Sequence, residues 1–310
     1  MTGDNGAGIP VTIIIVSYNV AALLADCLQS VQAAALGLHQ HTIVVDNVST
    51  DDTRSVVASH FPDVSFIANE HNVGFAAANN QGMRLCSSPY VLLLNPDTVV
   101  KPNALRRLYD TMEAHPEIGI VGPRIVNPDG TLQSCALAFP TLRSLGGMGS
   151  TKRAMPQGCL VDADWVLGAC MMVRRTVIDD IGMMDEGYFL YGEEKDWCFR
   201  AKRAGWQVKV LMDAEVVHLG GQSTKQCAPQ SYANLINSQV RFLTKFYPHS
   251  FRTVYLLSTW CTAGVREVVA RLLSVGGNNG DDWGQRVATY ATGRRRAWHY
   301  LAGLGRGGTP

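Results

Sequence analysis

Two short stretches of this sequence place carboxylates where an apolar chain would not tolerate them idle. In YVLLLNPDTVV, residues 90–100, an apolar run meets Asn95, Pro96 and Asp97 and then turns apolar again. A bare carboxylate at the end of a buried strand is costly unless something positive meets it, so Asp97 either pairs with a side chain or holds a ligand. In YGEEKDW, residues 191–197, Glu193, Glu194 and Asp196 crowd into apolar surroundings. Crowding raises the pKa of at least one of them, which suits a general base acting on a hydroxyl. The competing reading is a helix start with acids in its first turn and Asp196 paired to Arg200 four residues on.

The elements that must position these acids alternate in type. VTIIIV (11–16), TIVVD (42–46), VSFIA (64–68) and YVLLL (90–94) read as strands; helices lie between them, one from about Val20 to Leu36, one over DDTRSVVASHF and one over FAAANNQGMRLC. Fully apolar strands alternating with helices predict an α/β fold with a mostly parallel central sheet covered by helices on both faces. Farther on, a helix runs from Pro102 to about His115, NPDG (127–130) makes a turn between short strands, and residues 138–160 read as a mobile loop. WVLGACMMV (165–173) is one strand, Glu193–Ala204 a helix, and QVKVLM and AEVVH two further strands.

In such sheets ligands bind beyond the carboxyl ends of the strands. Four of those ends are polar: Ser17-Tyr18-Asn19, Asp46-Asn47, Asn69 to Gly74, and Asn95-Pro96-Asp97. Dinucleotide binding fails at the first turn, because VSYN has no glycine where a pyrophosphate needs close backbone approach. A phosphate loop of the Gly-Lys-Ser kind is missing too. A diphosphate would then be neutralised by a divalent cation on oxygen ligands, and Asp97 is placed for it.

Composition narrows the class further. Hydrophobic residues make up 46% of 310, enough for a packed core, and the formal charge is +1. That charge is divided unevenly: residues 1–240 carry 17 Lys/Arg against 23 Asp/Glu, and residues 241–310 carry 10 against 3. A basic appendage on an acidic body predicts an anionic partner surface, and the absence of a basic stripe on the body disfavours nucleic acid. The eight cysteines show no paired metal spacing and the start of the chain has no charged-then-apolar leader, which predicts a cytoplasmic protein. The longest apolar stretch, Val254 to Val265, is too short to span a membrane.

The motifs VTIIIVSYN, VVDNVSTDDT, NEHNVGFAAANNQG, LLLNPDTVV, WVLGACMMVRR, FLYGEEKDWCFRAKRAGW and VVHLGG, in that order over residues 11–221, resemble those of family 2 glycosyltransferases with the GT-A fold. The likeness is strongest to the rhamnosyltransferase branch. The resemblance implies inverting transfer of a sugar from a UDP- or dTDP-sugar to a hydroxyl acceptor, with Mg2+ or Mn2+. It implies that Val16 and Tyr18 line the base pocket and that Asp46 accepts a hydrogen bond from the pyrimidine N–H. Gly74 and Asn80 would sit by the ribose and sugar. Asp97 takes the place of the last acid in the metal motif, whose first acid is here Asn95, and His218 matches an imidazole ligand of related enzymes; the alternative for His218 is a core or turn histidine. Glu194 takes the place of the base, where most relatives have Asp, with Glu193 and Asp196 beside it. Trp165 and Gly168 fall on the acceptor-side strand, although a Trp there is also simply core.

The expected division is a disordered lead-in over 1–10, a GT-A catalytic domain over 11–240 and a basic, largely helical extension over 241–310, with a linker near 275–284. Phe251, Val254, Leu257, Cys261, Val265, Val268 and Leu272 recur at helical spacing, and RRRAW (294–298) adds a basic cluster. This extension is expected either to dock on an anionic membrane surface or to pack on the catalytic body. A membrane location would favour a lipid-linked or cell-surface glycan acceptor. Two other classes stay open: a nucleotidyltransferase, for which VSYNVAAL lacks a Gly- and Arg-rich loop with a lysine, and a non-catalytic binder of sugar nucleotides or membranes, against which the acids at 97, 193, 194 and 196 argue.

Overall fold

The computed structural model describes residues 11–35, 37–141, 159–220, 228–275 and 283–304. The lead-in, most of the 138–160 loop and most of the 275–284 linker lie outside the described residues. Those described fall into two compact units, one built from residues 11–138, 159–187 and 193–220, the other from 139–141, 188–192 and 228–304.

In the first unit, strands β1 (Val11–Ser17), β2 (Gln40–Asp46), β3 (Ser65–Ala68) and β4 (Tyr90–Leu94) pair in parallel, in the order β3-β2-β1-β4. Every residue of β1 and β4 is buried, so both faces of the sheet are covered there. Helices α1 (Ala21–Ala34), α2 (Thr53–His60) and α3 (Phe75–Leu85) make the crossovers between these strands. The close fit of α3 explains Gly82: a Cβ there would lie 2.8 Å from Ile14 Cγ2, too near for any side chain.

Past β4 the chain departs from a simple parallel sheet. β5 (Thr98–Val100), α4 (Ala104–Ala114), β6 (Ile118–Val126) and β7 (Ala136–Leu137) follow, then β8 (Leu160–Asp162), β9 (Trp165–Val166), β10 (Cys170–Arg174), α5 (Arg175–Ile181), α6 (Glu193–Arg203) and β11 (Gln207–His218). The single strand expected over WVLGACMMV breaks at Leu167–Ala169. Its first piece, β9, pairs with β7 in a separate two-stranded sheet, while β10 inserts antiparallel between β4 and β6. QVKVLM and AEVVH, conversely, form one strand whose register shifts between Leu211 and Glu215. β11 runs parallel to β6 and antiparallel to β5.

The second unit contains α7 (Ala228–Phe246), α8 (His249–Val275) and α9 (Trp283–Leu304). The boundary expected at residue 240 falls inside α7, and hydrogen-bonded helix continuity carries the helical unit upstream to its start. Ile236, Val240 and Leu256 form its small core, with Tyr232, Tyr300 and Leu301 packed on them.

Candidate functional site

The parallel register sets Ser17 opposite Asp46, so the polar ends of β1 and β2 meet side by side. Asp46 is buried, and its carboxylate accepts from Ser49 Oγ at 2.5 Å and from Ser49 N at 2.9 Å. Ser49 Oγ in turn accepts from Asn19 N, and Asn19 Oδ1 accepts from Thr50 N, which locks the β1–α1 and β2–α2 loops together. Asn47 extends the lock to a third loop, donating to Gly74 O and accepting from Asn69 Nδ2. Gly74 has φ +85° and Val48 φ +64°. For Val, left-handed backbone costs about 1–2 kcal/mol, strain of the kind that persists where surrounding contacts over-determine a loop. Val16 is buried at the end of β1 and Tyr18 is exposed at the rim. Ser17 Oγ is fully buried with no hydrogen-bond partner among the described residues.

Asn80 is not part of this cluster. Its amide nitrogen donates to Met184 O and Glu186 Oε1, and its oxygen accepts from Met184 N. With both amide hydrogens committed and the side chain buried, Asn80 ties α3 to the loop after α5, and a sugar would have to break that tie to reach it.

Antiparallel pairing of β5 with β11 brings His218 opposite Thr98, and Leu219 N donates to Asp97 O at 3.0 Å. Both side chains are buried, and His218 Nε2 lies 3.4 Å from Asp97 Oδ1. The other ring nitrogen, Nδ1, is 3.0 Å from Gln133 Oε1. Gln133 fixes the direction of that contact, because its Nε2 donates to Asn127 Oδ1 and to His218 O, each at 2.7 Å. Its oxygen must therefore accept, so His218 Nδ1 carries a proton, and Nε2 faces the Asp97 carboxylate. His218 Nε2 is buried with no hydrogen-bond partner. Asp97 supplies one oxygen ligand and His218 one nitrogen that could hold a divalent cation, an ion commonly bound through one or two carboxylates plus substrate phosphates. Among the described residues no group of three or more His, Cys, Asp or Glu could hold a metal.

The insertion of β10 has a local effect on the acids. Because it runs antiparallel to β4, its start lies at the carboxyl end of β4, and Asn95 N donates to Ala169 O. The adjacent Gly168 faces α6, where a Cβ would lie 3.5 Å from Cβ and Cγ of Glu194. Trp165 reaches the same helix, its ring 6.0 Å from Lys195 Nζ, while its indole N–H donates to Ala138 O. A line of neighbours thus runs from the loop of Asp97 through Asn95, Ala169 and Gly168 to Glu194.

α6 itself is anchored by Trp197, fully buried, whose indole N–H donates to Gly182 O at 2.8 Å. Asp196 is fully buried and accepts from Arg200 Nε at 2.7 Å; Arg200 also donates to Ile181 O and Met183 O. The pairing read as an alternative in the sequence is therefore formed, and Asp196 holds the helix to the preceding loop. Glu193 and Glu194 are also buried. Lys195, which sequence reasoning passed over, is buried among the three acids. Burial pushes its pKa down to about 8, against the upward pull of Glu194, Glu193 and Asp196. The run EEKD itself was the available signal, a single cation set among three acids in a helix start.

An α/β sheet whose mostly parallel strands end in polar loops locked together over its carboxyl edge has the architecture of a GT-A-type glycosyltransferase. Residues 12–182 match Glycosyl transferase family 2, and the chain belongs to that family. It is 29% identical over 207 residues to N-acetylglucosaminyl-diphospho-decaprenol L-rhamnosyltransferase of Mycobacterium tuberculosis, a match covering 59% of this chain and 67% of the relative. It is 31% identical over 184 residues to the low-salt glycan biosynthesis hexosyltransferase Agl10 of Haloferax volcanii, covering 57% and 58%. A mannosyltransferase from Pyrobaculum calidifontis, solved with GDP-Man and Mn2+, shares the fold with a TM-score of 0.58 at 16% identity, over 94% of this chain and 87% of the other.

Proposed function

We propose that this glycosyltransferase moves a hexose, with rhamnose the first candidate, from a UDP- or dTDP-sugar to a hydroxyl of a lipid-linked or cell-surface glycan, with inversion and with Mg2+ or Mn2+. The observation that carries the reading is the buried Asp97–His218 pair, which sets a carboxylate oxygen 3.4 Å from an imidazole nitrogen beside the polar strand ends. A bound divalent cation would neutralise charge developing on the departing diphosphate. Asp46 retains lone pairs beyond those used by Ser49 and can accept from a pyrimidine N–H. Val16, Tyr18 and Gly74 shape the rest of the donor loops, and Asn95 sits between donor and acid. Glu194 takes the proton of the acceptor hydroxyl as its oxygen forms the new bond to the anomeric carbon. The bond from that carbon to the diphosphate breaks, and the nucleoside diphosphate leaves with the electron pair. Glu193, Trp165 and Gly168 border the acceptor side. The tuberculosis relative's name supports a lipid diphosphate acceptor, which would place the enzyme at the cytoplasmic face of a membrane.

The test is thermal stabilisation of the purified protein by a panel of UDP-, dTDP- and GDP-sugars with and without Mn2+. Saturation at a hundredfold over Kd stabilises by about 2.7 kcal/mol, and the expected hits are pyrimidine sugars with Mn2+. Stabilisation by GDP-sugars alone, or by none, would refute the donor class.

Gln133 should matter to the metal without touching it. Outer-shell partners of metal-bound His typically contribute 10–100-fold in affinity, so Gln133→Leu should weaken Mn2+ binding about that much. Metal-free nucleotide affinity should hold. Nitrogen NMR of the His218 ring should show the Nδ1–H form in the parent protein and a mixture in the variant.

A further inference from the structure

The three helices of the second unit contain nine Lys and Arg and a single acid, Glu267. That acid is hidden: its side chain is 6% exposed and its oxygens accept from Arg271 and Arg294, each at 2.8 Å. The outer surface of α7, α8 and α9 thus offers no carboxylate to solvent.

α8 has two apolar faces, and its packing uses one of them. Tyr255, Leu256, Ala263 and Ala270 are buried, whereas Val254, Leu257, Cys261, Val265, Val268 and Leu272 are exposed, Val265 to 64% and Leu272 to 69%. The exposed set repeats at three and four residues, so it forms one stripe about 27 Å long at 1.5 Å per residue. Along one edge stand Trp260 and Trp298, with ring centroids 5.9 Å apart and Trp298 56% exposed, and Arg294 beside Gly264. A monomer seldom leaves a contiguous apolar stripe of this kind in water.

We infer that this stripe is a docking surface for an anionic lipid bilayer, with α8 lying in the interface plane. Charge decides among the occupants. A second copy would bring two surfaces without carboxylates face to face, and nucleic acid would satisfy the arginines while leaving Val and Leu in water. A bilayer with anionic headgroups answers both, taking the apolar stripe at the acyl boundary while Trp298 and the arginines remain at headgroup level. None of the described helices is long and apolar enough to cross a membrane.

The experiment is co-sedimentation of the full chain with phosphatidylcholine vesicles with and without phosphatidylglycerol, at low and high salt. Binding should require the anionic lipid and fall with salt, by about fivefold for each basic residue removed, as for roughly 1 kcal/mol apiece. Leu257→Asp combined with Val265→Asp should lose binding by more than tenfold while helix content by circular dichroism and donor-induced stabilisation stay at parent values. Arg295→Glu should reduce binding to anionic vesicles only. Absence of binding at low salt overturns the inference. So does a parent dimer by light scattering that the Asp variant splits, or oligonucleotide binding stronger than vesicle binding and indifferent to that variant. Because donor stabilisation is measured separately, failure here leaves the sugar-transfer reading intact.

Discussion

With Glu194 replaced by Gln, single-turnover transfer at saturating donor is expected to fall by about 10²–10⁴-fold, the usual contribution of a positioned general base. Donor affinity should change little. Gln keeps the size and the contact with Gly168 and removes only the capacity to take the acceptor's proton, so the loss appears in turnover, as expected of a group acting in the transition state. Asp196→Asn provides the contrast. That carboxylate is fully buried against Arg200, and breaking a buried pair typically costs about 3–5 kcal/mol, so its loss should read out chiefly as a lower unfolding midpoint. Glu193→Gln should mainly weaken acceptor binding. A near-parent rate for Glu194→Gln together with a well-folded, inactive Asp196→Asn would move the base to Asp196.

Removing the carboxylate of Asp97 should abolish Mn2+-dependent donor binding while the fold survives. The buried side chain stands in the turn between β4 and β5, apart from the apolar cluster, and its Oδ1 lies 3.4 Å from His218 Nε2. Loss of a direct ligand should exceed the roughly 10–100-fold typical of outer-shell partners. Titration of Mn2+ by electron paramagnetic resonance, with and without UDP, reads the effect without any turnover. Unchanged Mn2+ affinity would remove Asp97 from the metal site. Asp46→Ala should differ in kind, weakening nucleotide binding equally with and without metal.

The parts of this molecule that could be read from sequence are those determined locally. Four all-apolar strands between amphipathic helices announced the sheet, and the acids that interrupt them announced its functional edge. The stripe on α8 was visible from its spacing, and its exposure now gives that spacing a meaning. What sequence could not show is what folding brings from a distance. Asn80 reads as a donor residue until the loop at Met184 and Glu186 consumes its amide. Gln133 sits in an ordinary post-turn segment after NPDG, and only the return of β11 makes it the partner of His218. The antiparallel course of β10 was hidden because residues 170–173 are as fully apolar as the parallel strands beside them, so the usual composition cue pointed the wrong way, yet that direction is what sets Gly168 beside Glu194.

The placement of β11 also bears on the order in which a growing chain acquires its chemistry. β1, β2 and β3 pair in sequence order and β4 closes on β1, all within residues 11–94, so these strands can assemble while the rest is still being made, giving a platform of locked loops. His218 emerges far later and reaches Asp97 only when β11 closes against β5 and β6, the kind of long-range pairing that forms slowly. On the proposed assignments, a nascent or truncated chain would carry Asp46 and its locked loops before it could pair His218 with Asp97, and whatever depends on that pair would arrive with the last strand of the sheet.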